Sequence, residues 1–98
     1  MAIMDIYGIY DEASEAFVQF MPALNEKLAR MTFEKLFKER RLNVPLLFEY
    51  PNNFKVYKLG IFNDNTGRFD NLEHHEMLLD FSSLVDNSPL VAVSAQAS

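Results

Sequence analysis

Six of the nine basic residues fall within fifteen consecutive positions: Lys27, Arg30, Lys35, Lys38, Arg40 and Arg41. Cations concentrated in this way can neutralise DNA phosphates, releasing counterions and giving a salt-sensitive affinity that does not read sequence. A second basic pair, Lys55 and Lys58, brackets Tyr57. A ring among cations suits an unpaired base, because every base has a face to stack on. Tyr7, Tyr10 and Tyr50 are weaker candidates for the same role. Each group also has a plainer reading. The cations could be a solvated helix face, with Glu26 paired to Arg30 and Glu34 to Lys38 four residues on. The tyrosines could simply pack a core or a sheet face.

Other chemistries find little to stand on. With no Cys there is no disulfide framework, thiolate metal site or cysteine nucleophile. Glu73-His74-His75-Glu76 contains metal-ligand types, but neighbours on a strand point to opposite faces, and the helical His-Glu-x-x-His spacing is missing. Asn63-Asp64-Asn65-Thr66-Gly67 resembles a calcium loop only until the acid that such a loop requires falls on Phe62. There is no Gly-x-Ser-x-Gly and no glycine-rich phosphate loop, and the chain has three Gly in all. The expectation is a protein that is not an enzyme and uses no metal or cofactor.

The rest of the chain must position these groups. Its 98 residues are 49% hydrophobic and 23% charged, with nine Phe and four Tyr, which is ample material for one compact core and unlike a disordered acidic tail. The net charge of −5 is unevenly spread. Residues 1–26 hold five acids and no base, residues 27–41 carry +4, and residues 42–98 carry −4. Acidity at this level repels phosphate at long range, so the local cluster is the one compositional pointer to DNA. The most apolar run, Phe17 to Leu24, is interrupted by Gln19 and Pro22 and is far shorter than the roughly 20 residues of a membrane span. No basic region precedes an apolar run at the N-terminus, so no secretory signal is expected. These features point to a chain that works inside a reducing cell, away from membranes.

Ile3-Met4-Asp5-Ile6-Tyr7-Gly8-Ile9-Tyr10 reads as a strand with apolar residues on both faces. In residues 12–24, Ala13, Ala16, Phe17 and Phe20 have helical spacing, but Pro22 opposes a helix, so a short helix or an irregular loop is expected. Asn25 can cap a helix over about 25–41. On that helix Leu28, Ala29, Thr32, Phe33, Leu36 and Phe37 share one face, while Lys27, Arg30, Lys38 and Arg41 share another with Glu34. A connector from Leu42 to Tyr50 leads to a strand over 54–62 and a turn at 63–67 in which Gly67 takes positive φ. A return strand lies within 68–80, centred on Glu76 to Phe81. The predicted fold is α+β: a small antiparallel sheet, made of the N-terminal strand and a C-terminal hairpin, with one main amphipathic helix packed on it. Residues 1–86 form the single domain and residues 87–98 a flexible tail, in which Leu90-Val91-Ala92-Val93 could add an edge strand.

Two blocks of residues resemble a known family. Tyr7-Gly8-Ile9-Tyr10-Asp11, Ala16, Phe20-Met21-Pro22 and Asn25 form the first, and Ala29-Arg30-x-x-Phe33 follows. The second runs Tyr50-Pro51-Asn52-Asn53-Phe54 to Tyr57-Lys58-Leu59-Gly60-Ile61-Phe62-Asn63-Asp64-Asn65-Thr66-Gly67. Over about residues 5–70 this order resembles the small non-structural protein of gokushoviruses, single-stranded-DNA bacteriophages of the Microviridae. Asn25 and Asn63 stand where that pattern more often has Asp. The resemblance implies a virus-encoded accessory protein of the host cytoplasm. It further implies an association with DNA during the switch from duplex replication to single-strand production and packaging.

The combined expectation is a non-specific DNA-binding protein, its partner single-stranded DNA, contacted by Lys27, Arg30, Lys35, Lys38, Arg40, Arg41, Lys55, Tyr57 and Lys58. Five Met and nine Phe in so small a domain predict an exposed apolar patch and hence a homodimer or higher homo-oligomer. The alternative is a module that docks on a viral replication protein, a capsid-assembly protein or a host factor without touching DNA.

Overall fold

In the computed structural model, which describes residues 3–86, the N-terminal run of β-branched and aromatic residues forms strand β1 (Ile3–Asp11). The expected tail and the 90–93 edge strand lie outside the described residues. A four-residue turn follows β1. In it the Asp11 carboxylate accepts hydrogen bonds from the Ala13 amide at 2.9 Å and the Ser14 hydroxyl at 3.0 Å. The chain then returns as β2 (Ala16–Ala23). This corrects the expected helix or loop over 12–24. β1 is an inner strand whose backbone is paired on both edges, with Phe54–Asn63 on one side and β2 on the other. Pro22 is tolerated because β2 lies at the sheet edge, where an N–H missing from the ladder costs little.

Helix α1 (Glu26–Lys38) begins at Asn25, whose side chain accepts the Leu28 amide at 2.9 Å, as the cap residue predicts. It ends three residues earlier than expected. Arg40 takes φ 54°, and the Arg40 and Arg41 amides donate back to the Phe37 and Leu36 carbonyls at 3.1 and 2.9 Å. Those two bonds close the helix in the manner usually given to glycine. Two single 3-10 turns at Pro45–Leu47 and Pro51–Asn53 lead into β3 (Phe54–Asn63). Gly67, at φ 74°, completes the expected turn into β4 (Arg68–Asp80). Phe81 is not part of the return strand. It opens the short helix α2 (Phe81–Asp86), because Asp80 accepts both the Ser82 amide and the Ser82 hydroxyl, at 3.0 and 2.8 Å.

The four strands form one antiparallel sheet in the order β2-β1-β3-β4, giving a mixed α+β fold. Alternation assigns its two faces. Tyr7 and Ile9 of β1, with Phe54 and Val56 of β3, point toward α1 and meet Phe33 and Phe81 in the core. The Phe33 ring stands edge-on to Tyr7 at 6.5 Å and to Phe81 at 6.4 Å. On α1, Ala29 and Phe33 are buried, Leu36 and Phe37 pack against the core, and Leu28 is exposed. The other face of the sheet has no helix among the described elements. Gly60 sits where β3 and β4 approach closely: a Cβ there would lie 2.5 Å from the Asp70 carbonyl oxygen.

Candidate nucleic-acid interface

The six cations of 27–41 separate into two sets. Lys27, Arg30, Lys35 and Lys38 lie on α1, and none of them has an ion pair within the described residues. The i,i+4 pairs with Glu26 and Glu34 do not form. At 1.5 Å per residue, Lys27 and Lys38 are roughly 16 Å apart along the helix axis. Met31, Glu34, Lys35, Lys38 and Glu39 line a shallow groove toward the C-terminal end of α1. Arg40 and Arg41 lie beyond the helix end and are engaged internally. The Arg40 guanidinium is 5.1 Å from the centre of the Phe48 ring, and Arg41 lies 3.3 Å from Glu39.

The strand cations are also engaged. Lys55 Nζ lies 2.8 Å from Glu12 and 3.9 Å from Asp80, with 19% of its side chain exposed. The hydrogen bond to Glu12 is the main reason its ammonium holds its proton more tightly than an ordinary lysine. Lys58 Nζ lies 3.5 Å from Asp5, whose other carboxylate oxygen accepts the Tyr7 hydroxyl at 3.1 Å. Burial, then this hydrogen bond and the Asp5 charge, push the Tyr7 phenol well above the ordinary tyrosine range.

Lys55, Tyr57 and Lys58 therefore do not form one surface. Lys58 lies opposite Tyr7 on the helix side, whereas Tyr57 lies opposite Gly8 on the uncovered face, which Lys55 shares. Around Tyr57 the structure gathers residues that sequence spacing had not united. Tyr10 and Phe17 sit edge-on with centroids 4.9 Å apart, and Tyr57 stands 6.1 Å from Tyr10 and 6.3 Å from Phe17. His75 closes the group at 5.7 Å from Phe17, over a cavity of about 210 Å³. Phe17 was missed because its strand was not recognised. Tyr7 and Tyr50 stand apart, the first in the core and the second exposed.

The helix cations and the aromatic cluster therefore occupy opposite sides of the sheet. The first is a row of four cations, with Glu34 among them and no ion pair among the described residues, and the second an apolar surface whose lysine is paired with Glu12 and Asp80. Among the described residues, no group of three His, Asp or Glu side chains is arranged to hold a metal ion.

No curated protein matches this chain, and no solved structure matches it. A family model described as Phage ORF5 protein matches residues 4–84. That span runs from β1 into α2 and takes in both the helix cations and the aromatic face. The chain belongs to the Phage ORF5 protein family.

Proposed function

We propose that this phage protein is a non-enzymatic accessory factor that binds single-stranded DNA without sequence preference. On this reading it belongs to a phage of the gokushovirus type. It acts in the host cytoplasm, at the switch from genome replication to single-strand production and packaging. The observation that carries the proposal is the row of four cations on α1, which have no ion pair among the described residues. Lys27, Arg30, Lys35 and Lys38 are free to replace counterions along a sugar-phosphate backbone, and their spacing fits a few successive phosphates. Contacts to phosphate carry no sequence information, so a cationic row laid along a backbone binds without sequence preference. Arg40, Arg41, Lys55 and Lys58 have partners inside the protein and contribute less.

Fluorescence anisotropy with a labelled mixed-sequence single strand, titrated across salt, tests this. Four phosphate contacts give a slope of about −3 in log K against log salt. Reversing Arg30 and Lys38 to Glu should abolish binding at low salt while leaving the fold intact. Absence of binding by the unaltered protein at low salt would end the DNA reading. A second reading, docking on a viral replication or capsid-assembly protein or a host factor, is favoured by the neutralised, apolar sheet face. It predicts retained partner capture in the same double variant.

A further inference from the structure

We propose that the cavity bounded by Tyr10, Phe17, Tyr57 and His75 is a cage for one small organic cation, an alkylated ammonium group. The proposal does not rest on the DNA reading, since none of these rings lies on α1 and the cations there play no part in it.

The first observation is the shape of the walls. All four side chains that line the cavity of about 210 Å³ are rings, one from each strand of the sheet. Their planes are steeply inclined: 61° between Tyr10 and Phe17, 84° between Tyr10 and Tyr57, 83° between Phe17 and Tyr57, and 77° between Phe17 and His75. With no parallel pair among these, a flat base can lie against one ring but cannot be held between two. A rounded group entering the corner touches several rings at once. Ring faces carry negative potential, so such a corner attracts a cation, above all one whose alkyl groups leave it weakly hydrated. Strand pairing fixes the four rings in advance, so little ordering is left for the ligand to impose.

The second observation is the charge beside the rings. Lys55 lies opposite Tyr10 on β1 and opposite Asp80 on β4, so the three share one row across the uncovered face. Its ammonium is 2.8 Å from Glu12 and 3.9 Å from Asp80, two carboxylates to one cation. That local excess of negative charge favours a cationic ligand and disfavours one that carries phosphate. The chain's net charge of −5 acts in the same direction at longer range. Two other clefts lack this combination. The groove on α1 contains Lys35 and Lys38, and the cleft beneath Leu46 has the aliphatic walls Val18, Val44 and Pro45.

The test is NMR of the ring signals of the full chain, titrated with choline to millimolar concentration at constant ionic strength. A pH of about 8 keeps an ordinary imidazole neutral. Choline should shift Tyr10, Phe17 and Tyr57 saturably, and its uncharged isostere dimethylbutanol should bind at least about tenfold more weakly. Tyr57→Phe keeps a ring face and should retain binding. Tyr57→Leu keeps apolar bulk without the ring and should lose about tenfold or more. Tyr57 stands outside the buried core, so both variants should fold, which circular dichroism checks. A peptide carrying trimethyllysine separates two sources of the same group. Tighter binding than choline supports a cation presented by a protein, and equal or weaker binding supports a free small molecule. No saturable shift with either probe overturns the proposal. So does an equal response to the uncharged isostere, an equal loss in the Phe and Leu variants, or tighter binding of adenosine than of choline.

Discussion

Tyr7 shows how one hydroxyl couples the core to the surface. The ring is fully buried against Phe33, yet its hydroxyl reaches Asp5, which also meets Lys58. Removing it with Tyr7→Phe keeps the packing but leaves Asp5 short of a donor, at a cost of about 1 kcal/mol at neutral pH. The pH dependence has a definite sign. The folded protein holds the Tyr7 proton above the ordinary value of about 10, and it holds the Lys55 proton more tightly as well. Both groups therefore give stability that is complete below the unfolded values and is lost as pH rises through the folded ones. Denaturant midpoints should fall above about pH 10, and the fall should be shallower in Tyr7→Phe. An unchanged alkaline slope in that variant would show that Tyr7 is not a source of it. The Lys58 contact is not legible from sequence, because Asp5 and Lys58 meet only once β1 and β3 are paired.

At the scale of elements, the legible parts were those with local causes. Asn25 announces α1 through its own side chain, and Gly67 announces its turn through backbone freedom. The helix end was not legible, since Arg40 adopts a conformation that its residue type does not advertise. The second strand was hidden because helical spacing of Ala13, Ala16, Phe17 and Phe20 outweighed the weak alternation interrupted at Val18. The row of cations on α1 was visible as a pattern of charge. The aromatic face was not, because Tyr10, Phe17, Tyr57 and His75 belong to four different strands. The register between β3 and β4 depends on Gly60 in a way that can be tested. A methyl group there meets the Asp70 backbone oxygen, which cannot rotate aside, so Gly60→Ala should destabilise by about 1–3 kcal/mol through forced separation of the strands. Urea unfolding measures this, and a loss below a few tenths would show that the hairpin yields freely.

For the whole molecule, the core sits at one end of the sheet. β4 has 13 residues and extends roughly 43 Å, while α1 also has 13 residues and extends only about 20 Å. Buried residues on β3 run from Phe54 to Gly60, and none occurs from Ile61 to the turn. The distal hairpin is therefore held by backbone pairing, within itself and with Ile3–Asp5 of β1, and not by a buried core. Its amides should open by local fluctuation, while those near Val56 open only with global unfolding. Amide hydrogen exchange followed by NMR should show Phe62 exchanging at least about tenfold faster than Val56. Equal protection along β3 would mean that backbone pairing holds the distal end as firmly as the core holds the other.

The placement of the four tyrosines has an optical consequence. The chain has no Trp, so its ultraviolet emission comes from tyrosine alone. Tyr10 and Tyr57 sit together on the uncovered sheet face, Tyr7 is sealed in the core beside a carboxylate, and Tyr50 is in water. Half of the natural fluorophores thus stand where an occupant of that face would land, and none stands on the row of α1 cations. Emission should respond to contact at the aromatic face and stay nearly silent when a strand lies only along α1. The protein carries an unlabelled reporter that distinguishes its two surfaces.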